Sequence, residues 1–261
     1  MKHPTMKHPT MKFPVFTIVT VTRNAAKTVE KTILSVVNQT YGNIEYILID
    51  GASTDGTVQL IRQYESRISF WKSEPDRGLY DAMNKGLQNA SGDYVWFLNA
   101  GDTLQHPAVV MELARIAEQN KFPDIIYGET DLMNAEGTVF AKRRLKAPRS
   151  LTWKSFRMGM LVCHQAFIVK RLLAPDYNMK YLFSADYDWC IRCMKKSVSI
   201  VHSEMRIINY QYEGMTTANR KASLKERYDI MCMYYGSVPT QIRHVWFGIR
   251  FYWAKLFMNN S

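Results

Sequence analysis

The chain has 261 residues, 47% of them apolar and 22% charged, and a formal net charge of +11. That is an ordinary globular balance, and enough chain for one large α/β domain with a buried core. No apolar run approaches the roughly 20 residues that cross a bilayer, no apolar stretch before Val15 suits a secretory signal, and four cysteines are no disulfide framework; the expected location is cytoplasmic.

Residues 1–15 read MKHPT MKHPT MKFPV, a pentapeptide repeat with Pro in every copy, expected to be a flexible arm. Residues 16–22 (FTIVTVT) are β-branched and apolar, as in a buried strand. Residues 25–39 space Val29, Ile33, Val36 and Val37 as on one helix face. Residues 44–50 (IEYILID) predict a second strand, and Ser53 or Thr54 is the expected cap of a helix reaching Tyr64. A strand at 68–72, a helix at 79–90, a strand at 93–98, a helix at 106–119 and a strand at 124–128 follow. This alternation with short connections predicts a doubly wound, mostly parallel sheet flanked by helices.

The second half is less regular. Residues 129–133 and 138–142 read as a hairpin about Ala135–Gly137, 165–170 as a strand, 186–196 as a helix, 198–201 and 205–212 as strands, and 219–235 as a helix. Cys190 and Cys193 form a lone CxxC inside a predicted helix and read as two small side chains on one face rather than a zinc site. From 240 to 257 the apolar positions Ile242, Val245, Trp246, Ile249, Tyr252, Trp253 and Leu256 fall on one face. With Arg243, Arg250 and Lys255 mostly off it, the helix suits a membrane interface, or equally a contact with its own domain or in a homodimer. No linker separates the halves. The expected organisation is an arm (1–15), one domain with a donor half (16–128) and an acceptor half (129–236), and a C-terminal amphipathic helix (237–261).

Open α/β sheets bind ligands at the carboxyl ends of their strands. Four such ends here carry polar residues: Thr20, Thr22, Arg23 and Asn24; Asp50 to Asp55; Ser73 to Arg77; and Asn99 to Asp102. No GxGxxG follows the first strand and no GxxxxGK[ST] occurs, so neither a dinucleotide fold nor a P-loop is supported.

TVTRN (20–24), SVVNQTYGNIEYILIDGASTDGT (35–57), EPDRGLYDAMNKGLQNASGDYVWFLNAGD (74–102) and SADYDW (184–189) together resemble the family 2 glycosyltransferases of the GT-A fold, in the style of bacterial enzymes that build surface polysaccharides. The resemblance implies an inverting transfer of a sugar from a nucleotide-diphosphate donor, UDP-sugar favoured, to a saccharide or lipid-linked acceptor. It implies that Asp50 accepts a hydrogen bond from the donor base, with Thr20, Thr22, Arg23 and Ser53 around the nucleotide. Asp76 and Arg77 fall near the base or phosphates, and Asn84 and Asn99 near the donor. Asp102 would hold Mn²⁺ or Mg²⁺ across the diphosphate, and Asp186 would be the general base. His164, Gln165, Asp188 and Gly214, the hinge of the loop QYEGMTT (211–217), fall on the acceptor side. His164 reads equally as a structural histidine.

The chemistry fits these residue types. A diphosphate leaving group gains negative charge that a hard cation neutralises, and such a cation takes few protein ligands. An attacking hydroxyl must give its proton to a nearby carboxylate. Two departures stand out. Gly51 replaces a second acid after Asp50, and Asp102 is alone where the family has two acids. Arg77, Lys142 or Arg144 is then expected to share the neutralisation. A nucleotidyltransferase would need a Gly-rich loop after the first strand, and TVTRNAAKT has no glycine. A binding module without catalysis, for a nucleotide sugar or a nucleic acid, would not need three carboxylates in a phosphate site. Nucleic acid is not an expected partner.

Overall fold

The computed structural model describes residues 13–212 and 219–258. Most of the N-terminal repeat, and Gly214, lie outside the described residues. The last part of the repeat is tied down: the Tyr41 hydroxyl donates to the Pro14 carbonyl (2.7 Å) and the Val15 amide to Asp93 (2.8 Å).

Alternation begins at β1 (Phe16–Thr22), followed by α1 (Val29–Val37), β2 (Ile44–Asp50), α2 (Thr57–Gln63), β3 (Phe70–Ser73), α3 (Leu79–Asn89) and β4 (Tyr94–Phe97). Every residue of β1 is buried, which is why its sequence is continuously apolar or β-branched. After the short β5 (Thr103–Leu104) come α4 (Val109–Gln119), β6 (Ile125–Met133), β7 (Val139–Lys142), β8 (Phe167–Lys170), α5 (Ala185–Lys196) and β9 (Ile200–Gln211). Two helices close the described chain, α6 (Arg220–Tyr235) and α7 (Ser237–Met258).

Among the described residues the strands form one sheet in the order β3-β2-β1-β4-β8-β6-β9-β5, with β7 paired to β6. The two longest ladders, β1 with β2 and β6 with β9, are parallel. The antiparallel β8 sits between β4 and β6 and joins the alternating first half to the less regular second. The core runs unbroken across both halves, from Phe16 and Ile18 through Trp96 and Phe97 to Phe167 and Trp189.

Two strand divisions and one helix cap differ from the sequence reading, besides shifts of a few residues at element ends. Residues 124–128 and 129–133 belong to one strand, β6. Residues 198–201 and 205–212 belong to one strand, β9, whose irregular stretch includes Glu204 at φ 58°. A bulge breaks the period-two pattern, so one strand reads as two. The cap of α2 is Gly56, in a left-handed conformation, not Ser53 or Thr54. The Ser53 hydroxyl instead donates to Asp50 and accepts from the Asn24 amide.

Candidate active site

A cavity of about 730 Å³ opens at the carboxyl ends of β1 and β4. The β1 end supplies Thr22 and Arg23, the turn before α3 supplies Asp76, and the loop after β4 supplies Asn99 and Asp102. The second half closes it with Arg144, His164, Gln165, Asp186, Gln211 and Arg227. Both halves of the chain therefore wall a single space.

Asp102 is almost fully buried. Its Oδ2 accepts from Gln165 Nε2 (2.9 Å) and its Oδ1 from the Gln211 amide (2.8 Å). Burial pushes its carboxyl up to about 7, against the opposing pull of those two hydrogen bonds, His164 and Lys31. Gly101 lets the loop fit: its φ is +104°, and a Cβ there would lie 2.7 Å from Gln211 Oε1. Asn99 Oδ1 and Gln211 Oε1 are buried acceptors with no hydrogen-bond partner. Thr22 Oγ1 is equally unpaired. Buried polar atoms rarely stay unpaired, so these mark where a ligand would complete the site.

Asp186 begins α5 at the opposite wall. Its Oδ1 accepts from the Tyr80 hydroxyl (3.2 Å) and the Tyr187 amide (2.8 Å), and its Oδ2 lies 3.4 Å from His164 Nδ1. Burial alone would raise its carboxyl, but His164, Arg227 and the Tyr187 amide outweigh it and hold the group below the usual aspartate range. Its surroundings thus favour the ionised form. Two further groups beside it lack partners, His164 Nε2 and Arg227 Nε.

The wall behind Asp186 is built by packing. Tyr80 stacks on Tyr177 (5.4 Å between ring centroids), and Tyr177 on Trp189 of α5 (5.0 Å). Asn84 holds that ladder: its amide accepts from the Tyr177 backbone N–H (2.6 Å) and donates to the Tyr177 carbonyl (3.0 Å). From α6, the Glu226 carboxylate accepts the backbone N–H groups of Leu182, Phe183 and Ser184, the residues that lead into α5.

Several residues expected at the site do not reach the cavity wall. The Asp50 carboxylate is fully buried and accepts from the Ser53 amide and hydroxyl and from the Ser73 hydroxyl (2.6 Å), so Asp50 and Ser53 brace the β2–α2 loop. Thr20 lies within β1 and accepts from the Tyr46 hydroxyl. The Arg77 guanidinium is mostly exposed and pairs with Asp81. Asn84 is spent on Tyr177, and Asp188 on Arg192 (2.7 Å) and the Tyr234 hydroxyl (2.8 Å). Asp76 does line the cavity. A Cβ on Gly51 would lie 2.2 Å from its Oδ2, so the glycine that replaces the family's second acid makes room for another carboxylate.

Tyr80 and Arg227 were not singled out from sequence, and Gln211 only as part of the run 211–217. Tyr80 stands within the PDRGLYDAMN run and was the one within reach. Gln211 opens the QYEGMTT run expected on the acceptor side but ends β9 instead, and Arg227 carries no local signal; the long-range pairing of β9 and the docking of α6 bring them in.

Among the described residues no group of three or more His, Cys, Asp or Glu side chains is placed to hold a metal ion. The oxygen set of Asp102, Asn99 and Gln211 nevertheless suits a hard divalent cation, which accepts carboxylate and amide oxygens and keeps several waters.

A mixed α/β sheet with a walled, polar cavity at its strand ends defines a ligand-binding protein of the open α/β class. The family model described as "Glycosyl transferase family 2" matches residues 17–173, and the chain belongs to that family and is a glycosyltransferase. It is 29% identical over 207 residues to a PGL/p-HBAD biosynthesis glycosyltransferase of Mycobacterium bovis, covering 76% of each chain. It is 23% identical over 211 residues to the Escherichia coli UDP-Glc:alpha-D-GlcNAc-diphosphoundecaprenol beta-1,3-glucosyltransferase WfgD, covering 80% of this chain and 81% of that one. S. aureus TarS residues 1–349 in complex with UDP-GlcNAc share the fold with a TM-score of 0.68 at 16% identity, over 84% of this chain and 65% of that one. A mannosyltransferase from Pyrobaculum calidifontis in complex with GDP-Man and Mn2+ gives a TM-score of 0.62 at 16% identity, over 84% and 64%.

Proposed function

We propose that the chain transfers a sugar from a UDP-linked donor to a lipid-linked saccharide acceptor, with inversion, during surface-polysaccharide synthesis. The observation that carries this reading is that Asp102 and Asp186 face one cavity from its two halves, each amid buried groups that lack partners. The donor nucleotide lies along Thr22, Arg23 and Asp76. The acceptor enters against His164, Gln165 and Asp186. WfgD, by its name, uses UDP-glucose and a diphosphoundecaprenol-linked acceptor. A lipid-linked acceptor puts the reaction at the inner face of the plasma membrane.

Asp186 takes the proton from the acceptor hydroxyl as that oxygen attacks the anomeric carbon from the face opposite the diphosphate. His164 and Arg227 keep the carboxylate ionised until then. Asp102, Asn99 and Gln211 would hold Mn²⁺ or Mg²⁺, which when bound neutralises charge on the departing diphosphate. The guanidinium groups of Arg23, Arg144 and Arg227 line the same space and add positive charge without a metal. Arg143 lines the same space and adds its charge too, with its guanidinium held in place by the carbonyls of Leu145, Leu161 and Met160.

The test is a transfer assay with UDP-hexoses and a polyprenyl-diphosphate-linked sugar, read by the anomeric configuration of the product. Inverted product that disappears in Asp186→Asn supports the proposal. Retained configuration, or full transfer by Asp186→Asn, overturns it.

A further inference from the structure

The C-terminal helix carries two stripes. Thr240, His244 and Phe247 follow one: Thr240 is fully buried, and the His244 ring packs edge-on against Tyr228 of α6 (5.0 Å) and against Phe247 (5.7 Å). Val238, Ile242 and Val245 follow the other, offset by two residues and so about 200° around the helix. These three are 66%, 65% and 64% exposed, and Trp246 beside them is 47% exposed. Buried Thr240 and the edge-on contact of the exposed His244 ring with Tyr228 already hold that side of α7 against α6, so packing on its own domain does not account for the second stripe.

Charge selects the occupant. Residues 237–258 contain no Asp or Glu and include Arg243, Arg250 and Lys255. A second copy of this helix would bring like charges together. An anionic lipid surface would not, and it attracts a basic, apolar-striped helix both electrostatically and by burial of the stripe. Among the described residues no helix is long and apolar enough to cross a membrane.

We propose that the face of α7 carrying Val238, Ile242 and Val245 docks on an anionic bilayer. The helix lies in the interface, with the apolar stripe in the acyl boundary and Arg243 among the headgroups. The docked element is joined to the transfer site through α6, whose Glu226 gathers the backbone before α5 and whose Arg227 lines the cavity. Docking thus holds the acceptor wall toward the lipid. The proposal stands on the exposed stripe and not on the identity of the sugar transferred.

The experiment is sedimentation of the full chain with vesicles of phosphatidylglycerol and phosphatidylcholine, compared with phosphatidylcholine alone. The wild type is expected to sediment with the anionic vesicles. The charge-neutral double variant Ile242→Gln/Val245→Gln is expected to lose at least about tenfold in partition while keeping its circular dichroism and its transfer to a short, water-soluble acceptor. Equal partition of wild type and variant overturns the proposal. So does a wild-type dimer that the variant dissociates with no change in vesicle binding. Should the double variant fail to fold, Trp246 serves instead: wild-type emission shifts to the blue on anionic vesicles and the shift shrinks in Trp246→Phe, whereas no shift in the wild type overturns docking. A chain that docks through the stripe yet transfers no sugar would sink the transfer reading and leave docking standing.

Discussion

Asp50 and Asp102 lie at the ends of two strands of the same sheet, both buried, in different surroundings. Asp50 accepts three hydrogen bonds from Ser53 and Ser73 and faces its own loop. Asp102 accepts two, faces the cavity, and is raised to about 7 by burial. The neighbours of Asp50 come from its own loop and from β3, whereas those of Asp102 come from the far half of the chain, beside buried acceptors that lack partners. The same contrast separates Asn84 and Asp188, which are internally satisfied, from His164, Gln211 and Arg227, which are not.

Substitutions should therefore sort into chemistry and stability. The largest effect is expected from Asp186→Asn, with transfer falling by about 10²–10⁴-fold and UDP affinity unchanged in a titration; weakened UDP binding with intact turnover would move Asp186 out of the base role. Asp50→Ala strands three donors and should cost about 3 kcal/mol in urea unfolding, with or without nucleotide. A loss below about 0.5 kcal/mol would erase the distinction between the two aspartates. Asn84→Ala removes both bonds to the Tyr177 backbone and should cost about 2 kcal/mol. It should also lower kcat more than it raises the donor KM, because the aromatic ladder behind Asp186 loosens.

The smallest effect is the most diagnostic of environment. A carboxyl raised on folding stabilises the folded state below its unfolded pKa, and that contribution is lost as pH rises toward the folded value. The ligand-free wild type should thus lose stability from the ordinary carboxylate range up to about 7, and Asp102→Asn should flatten that part of the profile. An unchanged slope in the variant would place Asp102 in a wetter site than its burial indicates.

Much of this was legible in the sequence. The first two strands, β1 and β2, read to the residue because their runs are continuously apolar and end at polar clusters. Asp102, Asp76, Arg23 and Asn99, read from their places at strand ends, and Asp186, implied by the family resemblance, line one cavity. Sequence position alone did not separate Asp50 from Asp102, since the difference lies in which neighbouring hydroxyls and amides fold back onto each carboxylate. The irregular stretch at Glu204 hid the continuity of β9, and with it the reach of Gln211 into the site. Arg227 sits on a helix with no motif, and its role exists only once Glu226 has fastened that helix to the start of α5.

We propose that the Asp102 wall binds the donor diphosphate with a divalent cation. Thermal unfolding at pH 8 with UDP, with Mn²⁺, and with both tests it most directly, because a ligand that binds only the folded chain raises the midpoint. The wild-type midpoint should rise most with both together, and that added rise should vanish in Asp102→Asn but persist in Asp186→Asn. An equal rise in wild type and Asp102→Asn would contradict the assignment.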